Sequence, residues 1–344
     1  MISMFPKIVG LILLFCIFVP CLSGTTAYSL STPFSATSFW NTPLPDNAPL
    51  HPNSSVYVQN IVRQVRTHYS TYGDISTYSY TPPIYVVPDD TPPVKVRHSD
   101  CTNGGSIDTG LESQFAAVPI PADAVPSEGT DSQMVIYQPS SGQLWDFWRG
   151  EKRVEGWYTC WGGRIQNVSN SQGIFKWPYG ATATGLPFLG GIITIGQLQS
   201  GSINHALGIG IMETRAGIHS WPANRHDGWV NDENAVAEGQ RFRLPSNLDL
   251  DSMNMHPVAR MIAKAVQKYG LVIWDTGGYV GFGAENPARI ISKGLSDPYI
   301  AIYDGTPSYE ILKEFPWEQL QALAWDYGMD TDPPVPPSRL VITK

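Results

Sequence analysis

Alternation of apolar and polar positions dominates the middle of the chain. Met134–Gln138, Leu144–Arg149, Gly156–Trp161, Arg164–Val168, Gly191–Ile195 and Ile203–Glu213 each read as a strand, and Ser-Gly, Gly-Gly and Asn-Ser turns separate them. Strands so short and so regularly spaced predict a mainly β fold, sandwich or jelly-roll-like, with a few peripheral helices. Helical periodicity is confined to the flanks. Residues 54–67 place Val58, Ile61, Val62 and Val65 on one face behind Asn53 or Ser54 as cap. Residues 255–269 do the same with Val258, Met261, Ile262, Ala265, Val266 and Tyr269; Asn254 is the expected cap, Pro257 sits in the first turn and Gly270 stops the helix. An apolar strand, Leu271–Asp275, follows at once, and a last short helix is expected near Pro316–Trp325.

The ends differ in texture from the middle. Lys7, the apolar run Ile8–Val19 and the small residues Ser23, Gly24 and Ala27 form the charged, apolar and small-residue regions of an export signal over 1–27. The run is shorter than the roughly twenty residues that cross a bilayer, with an uncleaved signal anchor as the alternative; no further apolar segment approaches that length, so no membrane span is expected in the mature chain. Residues 28–53, rich in Pro, Ser and Asn, read as an extended arm in which Phe39 and Trp40 dock on the body. A single β-rich domain is expected over 28–330, with a Pro-rich tail over 331–344 that has too little apolar content to fold alone.

Composition sharpens the compartment. The 344 residues are 42% hydrophobic, which excludes intrinsic disorder, and only 15% charged, so solubility rests on neutral polar groups. Twenty-two Lys+Arg against thirty Asp+Glu give a net charge of −8, and no basic block is present, so nucleic acid is not expected as a partner. Cys16 and Cys21 leave with the signal. Cys101 and Cys160 are then expected to pair in an oxidising, extracellular compartment. Their spacing fits no metal motif. Asn53 and Asn167 each open an N-x-Ser sequon, compatible with a secreted surface.

Three constellations can carry chemistry. The first is Trp145, Phe147, Trp148, Trp157, Tyr158 and Trp161, a natural saccharide platform; alternation sends Trp148 and Trp145 to opposite faces, so about half of these rings belong to the core. The second is His205, in an apolar row that reads as a structural histidine unless it meets the rim of a cleft. The third is the loop His219–Trp229, where Arg225 can bind a carboxylate, His226 can exchange protons and Asp227 can orient a histidine or act as a carboxylate catalyst. Trp221 and Trp229 flank that loop. Arg241 and Arg243 share one face of a strand, as a solvated face or an anion clamp, and Asp275 reads as a turn residue. His205, His219 and His226 lack metal-ligand spacing, so neither a metal nor a cofactor is expected.

The motifs Ser38-Phe-Trp-Asn-Thr-Pro43, Leu144-Trp-Asp-Phe-Trp-Arg149, Trp161-Gly-Gly-Arg164, Ala181-Thr-Ala-Thr-Gly-Leu-Pro187, Asn204-His-Ala-Leu207 and Glu238-Gly-Gln-Arg-Phe-Arg-Leu244 span nearly the whole mature chain. In this order the chain resembles a family of exported microbial proteins common in actinobacteria. The resemblance implies export and a single architecture, and it brings no catalytic residue with it. The sheet motifs also look like those of carbohydrate-active jelly rolls, a likeness of texture that does not fix function.

The reading that follows is an exported carbohydrate-active protein, a polysaccharide lyase or glycoside hydrolase, with a polysaccharide or cell-surface glycan as partner. A lyase would use Arg225, Arg149 or Arg164 on a substrate carboxylate, His205 or His226 as base and Tyr158 as acid. A hydrolase would draw two carboxylates from Asp146, Glu213 and Asp227. Trp145, Trp148, Arg149, Arg164, Trp221 and Trp229 are the expected substrate contacts. The competing reading is a non-catalytic glycan-binding or cell-surface protein; a cell-wall peptidase is disfavoured because no metal or cysteine-nucleophile motif appears.

Overall fold

Side-chain alternation builds the layers of the molecule. The computed structural model describes residues 32–67, 71–99, 101 and 106–329; the expected signal over 1–27 and the tail over 331–344 lie outside them. Four strands, β1 (Ile84–Val86), β2 (Met134–Gln138), β3 (Gln143–Trp148) and β4 (Trp161–Ile165), form one sheet in that order. Ile84, Val135, Leu144 and Ile165 face inward on one side, and Met134, Ile136, Trp145 and Phe147 pack on the other against Leu111 and Phe115 of the helix Thr109–Gln114. Burying each of these large apolar side chains contributes about 1.5–3 kcal/mol.

The second layer is a six-stranded mixed sheet. Its centre is β5 (Leu207–Ile211), parallel to β7 (Leu271–Thr276) and antiparallel to β8 (Gly281–Gly283), with β6 (Arg241–Arg243) beyond β7. Asp74–Ser76 and Gln321–Ala322 close its two edges. Ile209, Ile211, Leu271 and Ile273 point to a core shared with two amphipathic helices, α1 (Ser54–Thr67) and α2 (Pro257–Lys268). Val272 and Trp274 point the other way, into the core shared with Ile84, Val135 and Leu144 of the first sheet. The fold is mainly β, with fifteen strands in four sheets and eight short α-helical segments among the described residues. The two smaller sheets join Val96–His98, Glu151–Arg153 and Gly156–Thr159 on one side of the molecule, and Thr214–His219 with Val236–Glu238 on the other.

Several elements depart from the sequence pattern. The apolar row 203–213 forms a strand only from Leu207, because the preceding Ala206 N–H donates to the carbonyl of Trp40 in the docked arm (2.8 Å). Trp40 is itself buried, and its indole N–H donates to Gly173 O (3.0 Å). The cap of α2 is His256, whose Nδ1 accepts from Val258 N at 3.2 Å, rather than Asn254. Near Pro316 only a 3-10 turn, Trp317–Gln319, forms, since the next residues pair with β6. Arg241 and Arg243 are neither solvated nor clamps. Both are buried and donate to backbone carbonyls, Arg241 to Tyr269 and Tyr327 and Arg243 to Pro45 and Asp46. They tie the terminal segments to the sheet.

Candidate active site

A groove of about 1080 Å³ opens where the two sheets part. The first sheet and its loops supply Asp131, Gln133, Trp148 and Trp161; the second supplies Asp275 and Thr276 at the end of β7, and the loop after residue 219 supplies Arg225, His226 and Asp227. Trp148 and Trp161 are cross-strand partners on β3 and β4. The Trp148 indole N–H donates to Asp131 Oδ1 (3.1 Å), and Trp161 stacks on Tyr179 with ring centroids 5.7 Å apart. Trp161 Nε1 is buried and has no hydrogen-bond partner among the described residues. The result is an aromatic wall with an unused donor, suited to a sugar ring and its hydroxyls.

The Cys101–Cys160 disulfide, which closes 59 residues of sequence separation, fixes the outer rim. Asp108 N–H donates to His98 Nδ1 (2.8 Å), so the His98 proton sits on Nε2 and reaches Cys160 O at 2.9 Å. Asp108 also caps the helix Thr109–Gln114 and accepts from the Tyr179 hydroxyl (3.3 Å). One tied loop thus holds the aromatic wall.

Opposite lies a carboxyl cluster. The register of β7 against β5 shifts between Ile273 and Asp275, a bulge that turns Trp274 and Asp275 onto the same side of the sheet. Trp274 lies over Gly208, where no Cβ would fit, and Asp275 enters the groove. Glu238, 0% exposed, ends its strand because Gly239 turns at φ +82 where a Cβ would strike the Ser220 carbonyl. Thr276 Oγ1 donates to Glu238 Oε1 (2.9 Å), Asp227 N–H donates to Oε2 (3.3 Å), and the Glu238 and Asp227 side chains share a hydrogen bond. Burial, the bond to Asp227 and the charges of Asp227 and Asp275 push the Glu238 carboxyl up to about 9. Burial, then the charge of Asp227, pushes Asp275 up to about 8, against N–H donors from Ala183 and Thr276. Both acids therefore hold protons at neutral pH beside the exposed carboxylate of Asp227.

Arg225 is committed to structure. Its guanidinium donates to the carbonyls of Pro178 (2.5 Å), Gly180 (2.8 Å) and Thr182 (2.5 Å), leaving only Nε without a partner. Its charge offsets the carboxyls beside it, and burial lowers its own proton affinity. His226 lines the groove with an unpartnered, buried Nδ1, 5.9 Å from the His219 ring centroid to centroid. Among the described residues no three His, Cys, Asp or Glu side chains are grouped to hold a metal ion.

The structure brings Trp148, Arg225, His226 and Asp227 together and leaves the other expected site residues elsewhere. His205 is 1% exposed, with Nδ1 2.7 Å from Ala206 O and Nε2 3.3 Å from Gln197 Oε1, and burial pushes it down to about 4; it is a neutral core histidine and not a catalyst. Trp145 is core, donating to Gln114 O (3.0 Å). Arg149 lies over the Trp148 ring at 4.7 Å but outside the groove lining, and Arg164 reaches Gln143 Oε1 at 3.4 Å. Trp221 packs edge-on against Phe39, and Trp229, 60% exposed, donates to Met212 O. Tyr158 lies between Arg97 and Arg153. Of the proposed carboxylates, Glu213 pairs with Arg63, and Asp146 is fully buried, pushed up to about 8 by burial, with Oδ2 accepting from Phe188 N (2.8 Å). Glu238 and Asp275 were not singled out as chemical groups by sequence alone. His205→Ala should therefore lower stability by about 2–4 kcal/mol, since it opens a cavity and strands buried acceptors, while turnover per folded molecule stays unchanged; urea unfolding and active-site titration check this.

Comparison of the chain with family models, with curated proteins and with solved structures finds no match. Functional inference rests on the groove.

Proposed function

We propose that the protein is an exported glycoside hydrolase acting on a neutral polysaccharide, with Asp275 as general acid and Asp227 as the second carboxylate. The observation that carries this reading is the cluster of Asp275, exposed Asp227 and buried Glu238, which accepts from Thr276 Oγ1 and Asp227 N–H, set across a groove from Trp148, Trp161 and Tyr179. Protonated Asp275 donates to the glycosidic oxygen as the C–O bond breaks, and Asp227 either takes a proton from the attacking water or attacks the anomeric carbon itself. Glu238 touches no solvent and acts through its bond to Asp227, as a positioning residue.

Charge favours a neutral substrate. Besides protonated Asp275, three aspartates, Asp108, Asp131 and Asp227, line the groove against one arginine, and three of that arginine's five N–H donors are already used on backbone carbonyls. A uronate would enter an acidic groove with no free clamp, so elimination chemistry is the weaker reading. Export is supported by the Cys101–Cys160 disulfide and by the signal-like sequence at the start of the chain. No helix among the described residues is long and apolar enough to cross a membrane.

The test is incubation of the purified chain with neutral glucans, xylans, mannans and galactans alongside pectate and alginate. New reducing ends from a neutral polymer, without the ultraviolet absorbance of an unsaturated product, are expected. Unsaturated products would replace hydrolysis by elimination. Retention on a polymer with no product of either kind would reduce the protein to a glycan-binding module.

A further inference from the structure

A second cavity of about 500 Å³ lies beyond Asp275 from the aromatic wall. It shares Asp131, Gln133, Asp275 and Thr276 with the larger groove, so the two spaces meet at the carboxyl cluster. Its walls are Tyr80, Phe188, Trp274 and Tyr279. Its floor is the surface of the six-stranded sheet at Gly210 of β5; over the paired Gly281 of β8 the Tyr279 ring and the Asp74 carbonyl already crowd the backbone. At Gly210 an added Cβ would meet only the Asp275 carbonyl, at 3.8 Å, so the sheet is bare there through lack of a side chain and not through lack of room. Glycine in the interior of a central strand weakens the strand, and its use here leaves a flat surface that a ring can approach closely.

A second observation points to a ligand at the junction. Gln133 is 5% exposed and lines both cavities, yet its Oε1 is buried without a hydrogen-bond partner among the described residues. A buried acceptor left unmet is destabilising, and a hydroxyl donor from a bound ligand would offset that loss. The backbone of Gln133 is separately held: its N–H donates to Ser127 Oγ and its carbonyl accepts from Ser127 N–H, each at 2.8 Å. These backbone bonds leave the carboxamide oxygen without a partner among the described residues.

We infer that the two cavities form one continuous trough and that the smaller is a second saccharide subsite, receiving a sugar ring on the open floor at Gly210, beside Tyr279, with one hydroxyl donating to Gln133 Oε1. This inference rests on the hydrolase reading and deepens it: the substrate is an extended chain with sugar units on both sides of Asp275, and cleavage falls at internal linkages. A site closed at Asp275 would take chain ends only.

Calorimetric titration of the full chain with cello-, xylo-, manno- and laminari-hexaose and their disaccharides tests it. In the wild type at least one hexaose binds ten times or more tightly than its disaccharide. Gly210→Leu fills the small cavity, cuts that length advantage at least fivefold and leaves disaccharide affinity within threefold; Gln133→Ala removes the acceptor and also cuts the length advantage at least fivefold. Should Gly210→Leu fail to fold, Gln133→Ala and the fluorine resonance of 5-fluorotryptophan at Trp274 in the otherwise unaltered chain decide, the latter shifting with hexaose and not with disaccharide. A length advantage retained in both variants, or absent from the wild type, overturns the second subsite and leaves the glycan reading standing. Failure of every saccharide to bind overturns both.

Discussion

Under the proposed hydrolase reading, Asp275→Asn should lower turnover on a neutral polysaccharide by about 10²- to 10⁴-fold, the usual contribution of a positioned general acid. The amide keeps the size of the carboxyl and can still face the Ala183 N–H, but it has no proton of suitable acidity to give to a leaving oxygen. The pH profile supplies the sign. Asp275 is held up to about 8, so its donor form is present below that value and disappears as pH rises through it; wild-type turnover accordingly falls on the alkaline side of about 8. In Asp275→Asn that limb vanishes along with most of the rate. Glu238→Gln is the informative companion. Glu238 already carries a proton at neutral pH, so glutamine can retain the Thr276 bond and offer an N–H to Asp227, and at least a tenth of wild-type turnover should survive. Wild-type rates in Asp275→Asn on a confirmed substrate would remove the assigned acid.

Removing the disulfide gives the largest loss of stability. Replacing Cys101 and Cys160 together by serine frees a loop with a sequence separation of 59 residues, for which chain entropy gives about 4 kcal/mol. At this chain size roughly 2 °C per kcal/mol is expected, a fall of about 8 °C in Tm by calorimetry. The effect on the groove is separate from the effect on the core. The His98–Cys160 and Asp108–His98 bonds depend on the same tether, and they hold the rim that orients Tyr179 and Trp161. KM for the polysaccharide should therefore rise at temperatures where the double variant is still folded. An unchanged Tm would show that the bridge does not restrain the chain.

How much of this was legible in the sequence depended on the range over which each signal acts. Alternation is local, so the placing of Trp148 on one face of Leu144–Arg149 and of Trp145 and Phe147 on the other follows from neighbouring residues alone, whereas which face meets the groove depends on the helix Thr109–Gln114 covering the second. The periodic faces of α1 and α2 were legible for the same reason. Asp275 was not, because a bulge shifts it out of simple alternation, and Asp275-Thr-Gly-Gly278 has the composition of a turn. Glu238, between small residues and a glycine, looks unremarkable until the fold brings Asp227 and Asp275 against it. His205 shows the opposite failure: a histidine near a strand start is chemically suggestive, but docking of the arm through Trp40 places it deep in the interior. Gln133 carries no motif at all. Its importance comes only from being buried between two cavities with an oxygen unused.

The walls of the trough descend from different layers of the molecule. Rings that would grasp a sugar hang from the four-stranded layer and its bridged rim, while the acids that would cut it are seated at the end of a six-stranded layer and on the loop beside it. Under the proposed function, recognition and cleavage would be housed in separable parts, and drift in the rim over 106–110 would retune which polymer is gripped without touching the residues that break it.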